Sequence, residues 1–144
     1  MKTIYETNWT RLQRILPGIE TRPVAWATEI RSEPYMSLHV DVLDQRKVNG
    51  RVQVEIAIAH RYTQNGDSMA DPDMKLRLYP ESGMVEALTF QQDGFPGIGT
   101  LYQEVYVDNG TRYRPKLKKQ LNSFLGTWLC NLHRQGHKLN PQAN

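Results

Sequence analysis

Between residues 24 and 107 apolar and polar side chains alternate with a period of two, most clearly in Leu38, Val40, Val42 and in Val52, Val54, Ile56, Ile58. Ser37, His39, Asp41, Gln53 and Glu55 fall on the other side. Such alternation marks half-buried strands with one face on a core. Strands are predicted over residues 24–30, 35–43, 51–62, 74–79, 85–91 and 100–107. Asn49-Gly50 is a favoured two-residue hairpin turn, and Glu81-Ser82-Gly83 separates the fourth run from the fifth, so neighbouring runs pair antiparallel without crossovers. The segments 63–73 and 92–99, polar or rich in Gly and Pro, read as loops at the sheet ends.

The period changes at both ends of the chain. Tyr5, Trp9, Leu12 and Leu16 recur at helical spacing until Pro17-Gly18 stops them, which predicts a helix over residues 5–16 with Arg11 and Arg14 facing away. Leu117, Leu121, Phe124, Leu125, Trp128, Leu129 and Leu132 form a broad apolar stripe, predicting a helix over 115–135 with Pro115 at its first position and Gly136 at its end. Lys116, Lys119, Ser123, Thr127, Cys130 and Arg134 take its opposite side. Each buried large side chain contributes roughly 1.5–3 kcal/mol, so this helix is a main source of stability and Leu121→Ala is expected to be costly. The expected architecture is a single α+β domain, 1–144, with residues 138–144 fraying. Its mainly antiparallel sheet of five or six strands carries the N-terminal helix and the long C-terminal helix on one face and a polar face on the other.

Composition adds two constraints. The single cysteine, Cys130, leaves no partner for a disulfide and too few thiolates for a multi-thiolate zinc site, so packing alone holds the fold. No apolar stretch approaches the roughly 18–20 residues that span a bilayer, and residues 1–12 lack a secretory apolar segment, so a cytoplasmic location without a membrane partner is expected. Charge is more informative. The chain has 18 Lys and Arg against 15 Asp and Glu, but every acidic residue lies at or before Asp108. The first 108 residues therefore sum to −4, and the last 36, with seven basic and no acidic residues, to +7. Such segregation fits either a polyanion-binding surface or a basic element docked on an acidic one within the fold.

No catalytic motif is present. His39, His60, His133 and His137 form no HExxH pattern, and His133 and His137 straddle the helix stop at Gly136, so they read as surface or strand-end histidines, with His60 on the side of Ile58 at the rim of the core. Asp67, Asp71 and Asp73 lack the Gly and Glu of an EF-hand loop. The glycine-rich run 94–99 lacks phosphate-loop spacing and precedes a strand, and Cys130 has no accompanying base. No metal and no cofactor is implied. The feature that stability does not explain is the start of the last helix, where Arg112 and Arg114 precede Lys116, Lys118 and Lys119 at the dipole end that favours acids. Five cations beside free N–H groups suit a phosphate or carboxylate, with Tyr113 as a stacking surface. The competing account is internal pairing with Glu104, Asp108 or the acidic edge of the sheet.

Three blocks resemble the small YqiB-like family of proteobacterial proteins. Tyr5, Trp9, Arg11, Leu12 and Leu16-Pro17 are similar to its opening Y…RL…LLP segment. Met74 to Tyr79 followed by Val85-Glu86-Ala87 is similar to its MxVRLY…VAEV block, with Tyr106 near its aromatic-rich strand, and residues 119–129 resemble its KxQxNxFLxxWL helix. Pro80 stands where that family often has His, and Asp108-Asn109-Gly110 where a DYPN run is usual. The resemblance implies no reaction and no catalytic residue. It places Arg77, Tyr79, Glu86, Gln120 and Asn122 among the polar members of recurrent blocks, and Arg77 and Glu86 fall on facing strands where they can pair. Surfaces without a nucleophile, acid/base pair or metal set point to a non-enzymatic binding or regulatory module whose partner is a protein or an anionic ligand. The alternatives are nucleic-acid or nucleotide binding through residues 112–119, and a small-molecule enzyme or carrier with a cavity between sheet and long helix lined by His60 or Tyr79.

Overall fold

The fold, obtained as a computed structural model, is described for residues 1–142; of the segment expected to fray, residues 143 and 144 lie outside the described residues. Helix α1 spans Ile4–Ile15. Its start is a reciprocal cap: Thr3 Oγ1 accepts from the Glu6 amide at 3.3 Å while Glu6 Oε1 accepts from the Thr3 amide at 3.0 Å. The strands follow as β1 Ala27–Ser32, β2 Tyr35–Val48, β3 Arg51–Gln64, β4 Asp67–Tyr79, β5 Met84–Ala87, β6 Thr89–Phe95, β7 Gly99–Glu104, β8 Tyr106–Val107 and β9 Arg112–Tyr113. Helix α2, Pro115–Arg134, closes the chain within one residue of its predicted end.

The fold class is α+β as expected, with an antiparallel sheet of seven strands in the order β1-β2-β3-β4-β6-β7 and β5 paired to β4. Two departures raise the strand count. The run 85–91 breaks at Leu88, whose amide donates to Lys75 O while its carbonyl accepts from Val105, so one strand becomes β5 and β6. The run 100–107 breaks at Val105, which bonds Leu88 on one side and Arg114 on the other, leaving β8 to pair with β9 in a separate two-stranded ribbon. Segment 63–73 is not a loop. It holds a second tight hairpin, Asn65-Gly66 with φ of 52° and 82°, and β3 and β4 remain paired to its tip. Segment 92–99 likewise keeps strand to Phe95 and resumes it at Gly99.

The inward-facing rows of the sheet, Leu38-Val40-Val42, Val54-Ile56-Ile58 and Met74-Leu76-Leu78, are buried and meet Leu12, Ile15, Leu121, Leu125 and Leu129 from the two helices in one core. The expected stripe on α2 needs one correction: Phe124 is 39% exposed and packs edge-on against Phe90 at 5.4 Å, while Asn122 and Gly126 take buried positions beside α1. Beyond α2, Leu139 is buried and its amide donates to Ile15 O at 2.7 Å, so this part of the segment expected to fray is docked. No helix among the described residues is long and apolar enough to cross a membrane.

Candidate functional site

Register places Glu55, Arg77 and Glu86 side by side on β3, β4 and β5, on the face opposite the buried Ile56, Leu76 and Ala87. The pairing expected between Arg77 and Glu86 is present, with Nη1 4.0 Å from Oε1, while Arg77 makes its closer ion pair to Glu55 at 2.8 Å. Glu86 is 5% exposed, unusual for a carboxylate, and both its oxygens are engaged. Tyr79, two residues along β4 from Arg77, donates its hydroxyl to Oε1, and Tyr106 on β8 donates to Oε2 at 2.7 Å. Lys118, in the first turn of α2, stands 3.5 Å from Oε2 and donates to the Tyr106 oxygen at 3.1 Å.

These groups floor a cavity of about 260 Å³ lined by Tyr5, Tyr79, Met84, Val85, Glu86, Tyr106 and Lys118. Tyr5 reaches it from the first turn of α1. The Lys118 ammonium lies 5.5 Å from the Tyr5 ring, 5.5 Å from Tyr106 and 5.2 Å from Tyr113, within cation–π range of all three. Tyr5 and Lys118 also line an adjoining groove of about 430 Å³ whose other walls are Ile4, Tyr113, Pro115, Lys119, Asn122 and Ser123. The cleft is anchored from below by Asn122, which is 1% exposed: its Oδ1 accepts the Ala87 amide at 2.9 Å and its Nδ2 donates to Lys118 O at 2.8 Å. Asn8 completes the joint by donating to Asn122 O at 2.9 Å.

The electrostatics of this cluster are those of a fixed site. Burial, reinforced by the Glu86 carboxylate, pushes the Tyr79 phenol up to about 12. The Tyr106 phenol is raised for the same two reasons. Burial pulls the Lys118 ammonium down, but its hydrogen bond to Tyr106 and the charge of Glu86 outweigh that and the net shift is upward. Each of these groups is moved away from neutrality, so none is poised to exchange a proton there.

The five cations singled out at the start of α2 do not converge. Arg112 pairs with Asp108 at 2.9 Å, Arg114 donates to Glu104 O at 2.8 Å, and Lys118 turns inward to Glu86, whereas Lys116 and Lys119 are exposed and make no ion pair among the described residues. Arg114, at the N-cap, makes no side-chain cap. Of the polar residues in the recurrent blocks, Tyr79 and Glu86 line the cavity, Arg77 pairs with Glu86 beside it, Asn122 supports it and Gln120 faces solvent. His60 lies apart: its Nδ1 donates to Ser37 O at 2.8 Å, its Nε2 accepts from Trp128 Nε1 at 3.2 Å, and His137 packs 5.9 Å away. Of the three aspartates on β4, Asp73 pairs with Arg61 at 2.7 Å and Asp71 accepts from Gln92 at 2.7 Å. No group of three or more metal-binding side chains forms among the described residues. The sequence places Tyr5 on an apolar stripe and in a recurrent block, but its helical phase gives no sign that it faces Lys118 across more than a hundred residues of chain.

Residues 8–138 match the family described as a domain of unknown function, DUF6908, and the chain belongs to that family. No curated protein and no solved structure matches it significantly.

Proposed function

We propose that this DUF6908 protein is a cytoplasmic, non-enzymatic binding module of a bacterial cell, and that its ligand is a small molecule with a flat ring and one acidic group, held in the Lys118 cleft. Kinship with the YqiB-like family is part of the same reading and adds no reaction to it. The carrying observation is the floor of the cleft: a buried carboxylate held on both oxygens by Tyr79, Tyr106 and Lys118 beside a cavity, with the two phenols and the ammonium all raised above their ordinary values. Such a floor orients hydrogen-bonding groups without trading protons, which is the work of recognition rather than acid/base turnover. In the adjoining groove Tyr5 and Tyr113 offer ring faces, and the exposed Lys119 offers donors to a carboxylate or phosphate.

Titration with nucleoside 5′-monophosphates and with aromatic carboxylates, followed by NMR shifts of the Tyr5, Tyr113 and Lys118 resonances, tests this. Saturable binding at about 1 mM or tighter, weakened by Tyr113→Ala and Lys119→Gln and with the ligand recovered unchanged, is expected. No binding from either class, or conversion of the ligand, refutes the reading. A second reading, nucleic-acid binding through residues 112–119, draws on the exposed Lys116, Lys119 and Tyr113. It requires binding to single-stranded RNA that falls steeply with salt.

A further inference from the structure

α1 and α2 run side by side in the same direction: Asn8 bonds to Asn122 and Arg11 reaches Gly126. Near their C-terminal ends a cleft of about 190 Å³ opens between them, lined by Arg11, Arg14, Leu129, Cys130, His133 and Arg134. No acid lines it. Glu6 is the sole acidic residue on either helix, and it is tied to Thr3 at the opposite end of α1.

Arg11 is built into place. Its Nη1 donates to Asn8 Oδ1 at 3.0 Å, and Asn8 is fully buried. Its guanidinium lies against Gly126, where a Cβ would stand 2.5 Å from Nη1. A glycine inside a helix costs about 1 kcal/mol relative to alanine; here the freed space holds the guanidinium. Among the described residues the Arg134 side chain donates only to Asn131, and the side chains of Arg14 and His133 make no hydrogen bond or ion pair. Several of the terminal carbonyls are already capped by backbone amides: Leu139 donates to Ile15 O, and Gln135, Gly136 and His137 donate to the carbonyls of Asn131, His133 and Leu132. Two helix C-termini supply about −0.5 charge each. Against that stand three guanidinium charges, which leaves an excess of about +2 concentrated in one short cleft.

We propose that this arginine cleft binds a compact dianion, the phosphate-monoester group of a small molecule. Arginine suits the task because its planar fork meets phosphate oxygens with paired N–H donors, and Arg11 retains donors beyond the one given to Asn8. The site is independent of the Lys118 cleft. Lys119 and Arg134 are 15 residues apart on α2, about 22 Å at helical rise.

The test is titration of the full chain with inorganic phosphate and with free phosphoserine at mildly alkaline pH, read by NMR shifts of the Arg11 and Arg14 side chains and by calorimetry. Dimethyl phosphate, a monoanion, is the control. Saturable binding of both dianions is expected, at least about tenfold tighter than dimethyl phosphate and weakened at least about tenfold in R14Q/R134Q. Gly126→Ala, which displaces Arg11 without changing any charge, should weaken it at least about threefold, while Lys116→Gln and Lys119→Gln leave it unaltered. Phosphoserine binding without inorganic phosphate binding, absence of saturation, equal affinity for the monoanion, or affinity unchanged in R14Q/R134Q would overturn the proposal. R14Q/R134Q alters exposed positions, so it keeps the test decisive if G126A fails to fold.

Discussion

Replacing Asn122 by alanine should cost far more than its place on a helix suggests. Its Oδ1 is the acceptor for the Ala87 amide, and β5 has no neighbouring strand on that edge to take over. Its Nδ2 holds Lys118 O, one turn earlier on α2. Two hydrogen bonds at about 1 kcal/mol each are lost, and the Ala87 amide, on a residue with no exposed surface, is left without a partner at a further 1–3 kcal/mol or so. The loss should total roughly 3–5 kcal/mol in urea unfolding, and the Ala87 amide should lose its protection against hydrogen exchange. Asn122→Asp retains an acceptor for Ala87 while giving up the donor, so it should recover that protection in part. A loss below about 1 kcal/mol with Ala87 still protected in N122A would refute this account of the joint between α2 and β5.

Leu121→Ala, removing a side chain that is 5% exposed, should lower stability by about 2–5 kcal/mol in the same assay. Glu86→Gln removes the charge beneath Lys118 and Arg77. Because Lys118 is partly exposed and Arg77 keeps Glu55, the loss should be held to roughly 1–3 kcal/mol. Tyr79 should then ionise below its value of about 12, since burial persists but the carboxylate no longer opposes the phenolate; a tyrosinate absorbance titration identical to the parent's would contradict the network. Burial holds the His60 imidazole below its ordinary 6.5, only partly offset by the Ser37 carbonyl. The unfolded chain therefore takes up this proton first as pH falls, so His60 contributes stability that is full above about 6.5 and is lost below it. The urea midpoint of the parent should fall more steeply than that of His60→Phe between about pH 7.5 and pH 5.5, and parallel profiles would remove His60 as the cause.

The helices and the inward rows of the sheet were legible because their periodicity is carried by large apolar residues. The second hairpin was obscured by chemistry that normally ends strands: Pro72 and three aspartates in one segment. Asn65-Gly66 repeated the signal of Asn49-Gly50, and Ala70, Pro72 and Met74 alternate inward as buried positions on β4. Leu88 was hidden for a different reason. Ala87 and Leu88 are both buried, which breaks a period-two pattern and marks the kink between β5 and β6. Phe124 was placed in the core because the apolar stripe on α2 is wider than the surface α2 buries. The inward positions beside α1 go instead to Asn122 and Gly126, which no hydropathy pattern would choose. Half of the candidate site could be read as a strand row, Arg77 with Glu86, because cross-strand neighbours follow from register. Tyr5 and Lys118 could not, since their meeting depends on how two helix starts pack against the end of β5.

The basic tail is divided by direction rather than used as one surface. Arg112, Arg114 and Lys118 turn back onto Asp108, the Glu104 carbonyl and Glu86, all contributed by the acidic first part of the chain, and the last two contacts hold the start of α2 against the sheet. Lys116, Lys119 and Arg134 face outward, and Arg11 and Arg14 join Arg134 from α1. Segregation along the sequence thus serves two ends. Pairing between the acidic and basic parts closes the fold around the Glu86 floor, and the cations left over lie at opposite ends of α2. Because the inward set is consumed by internal partners, the net charge of the tail overstates what is available to any ligand, and anion recognition rests on the few cations whose neighbours are other cations.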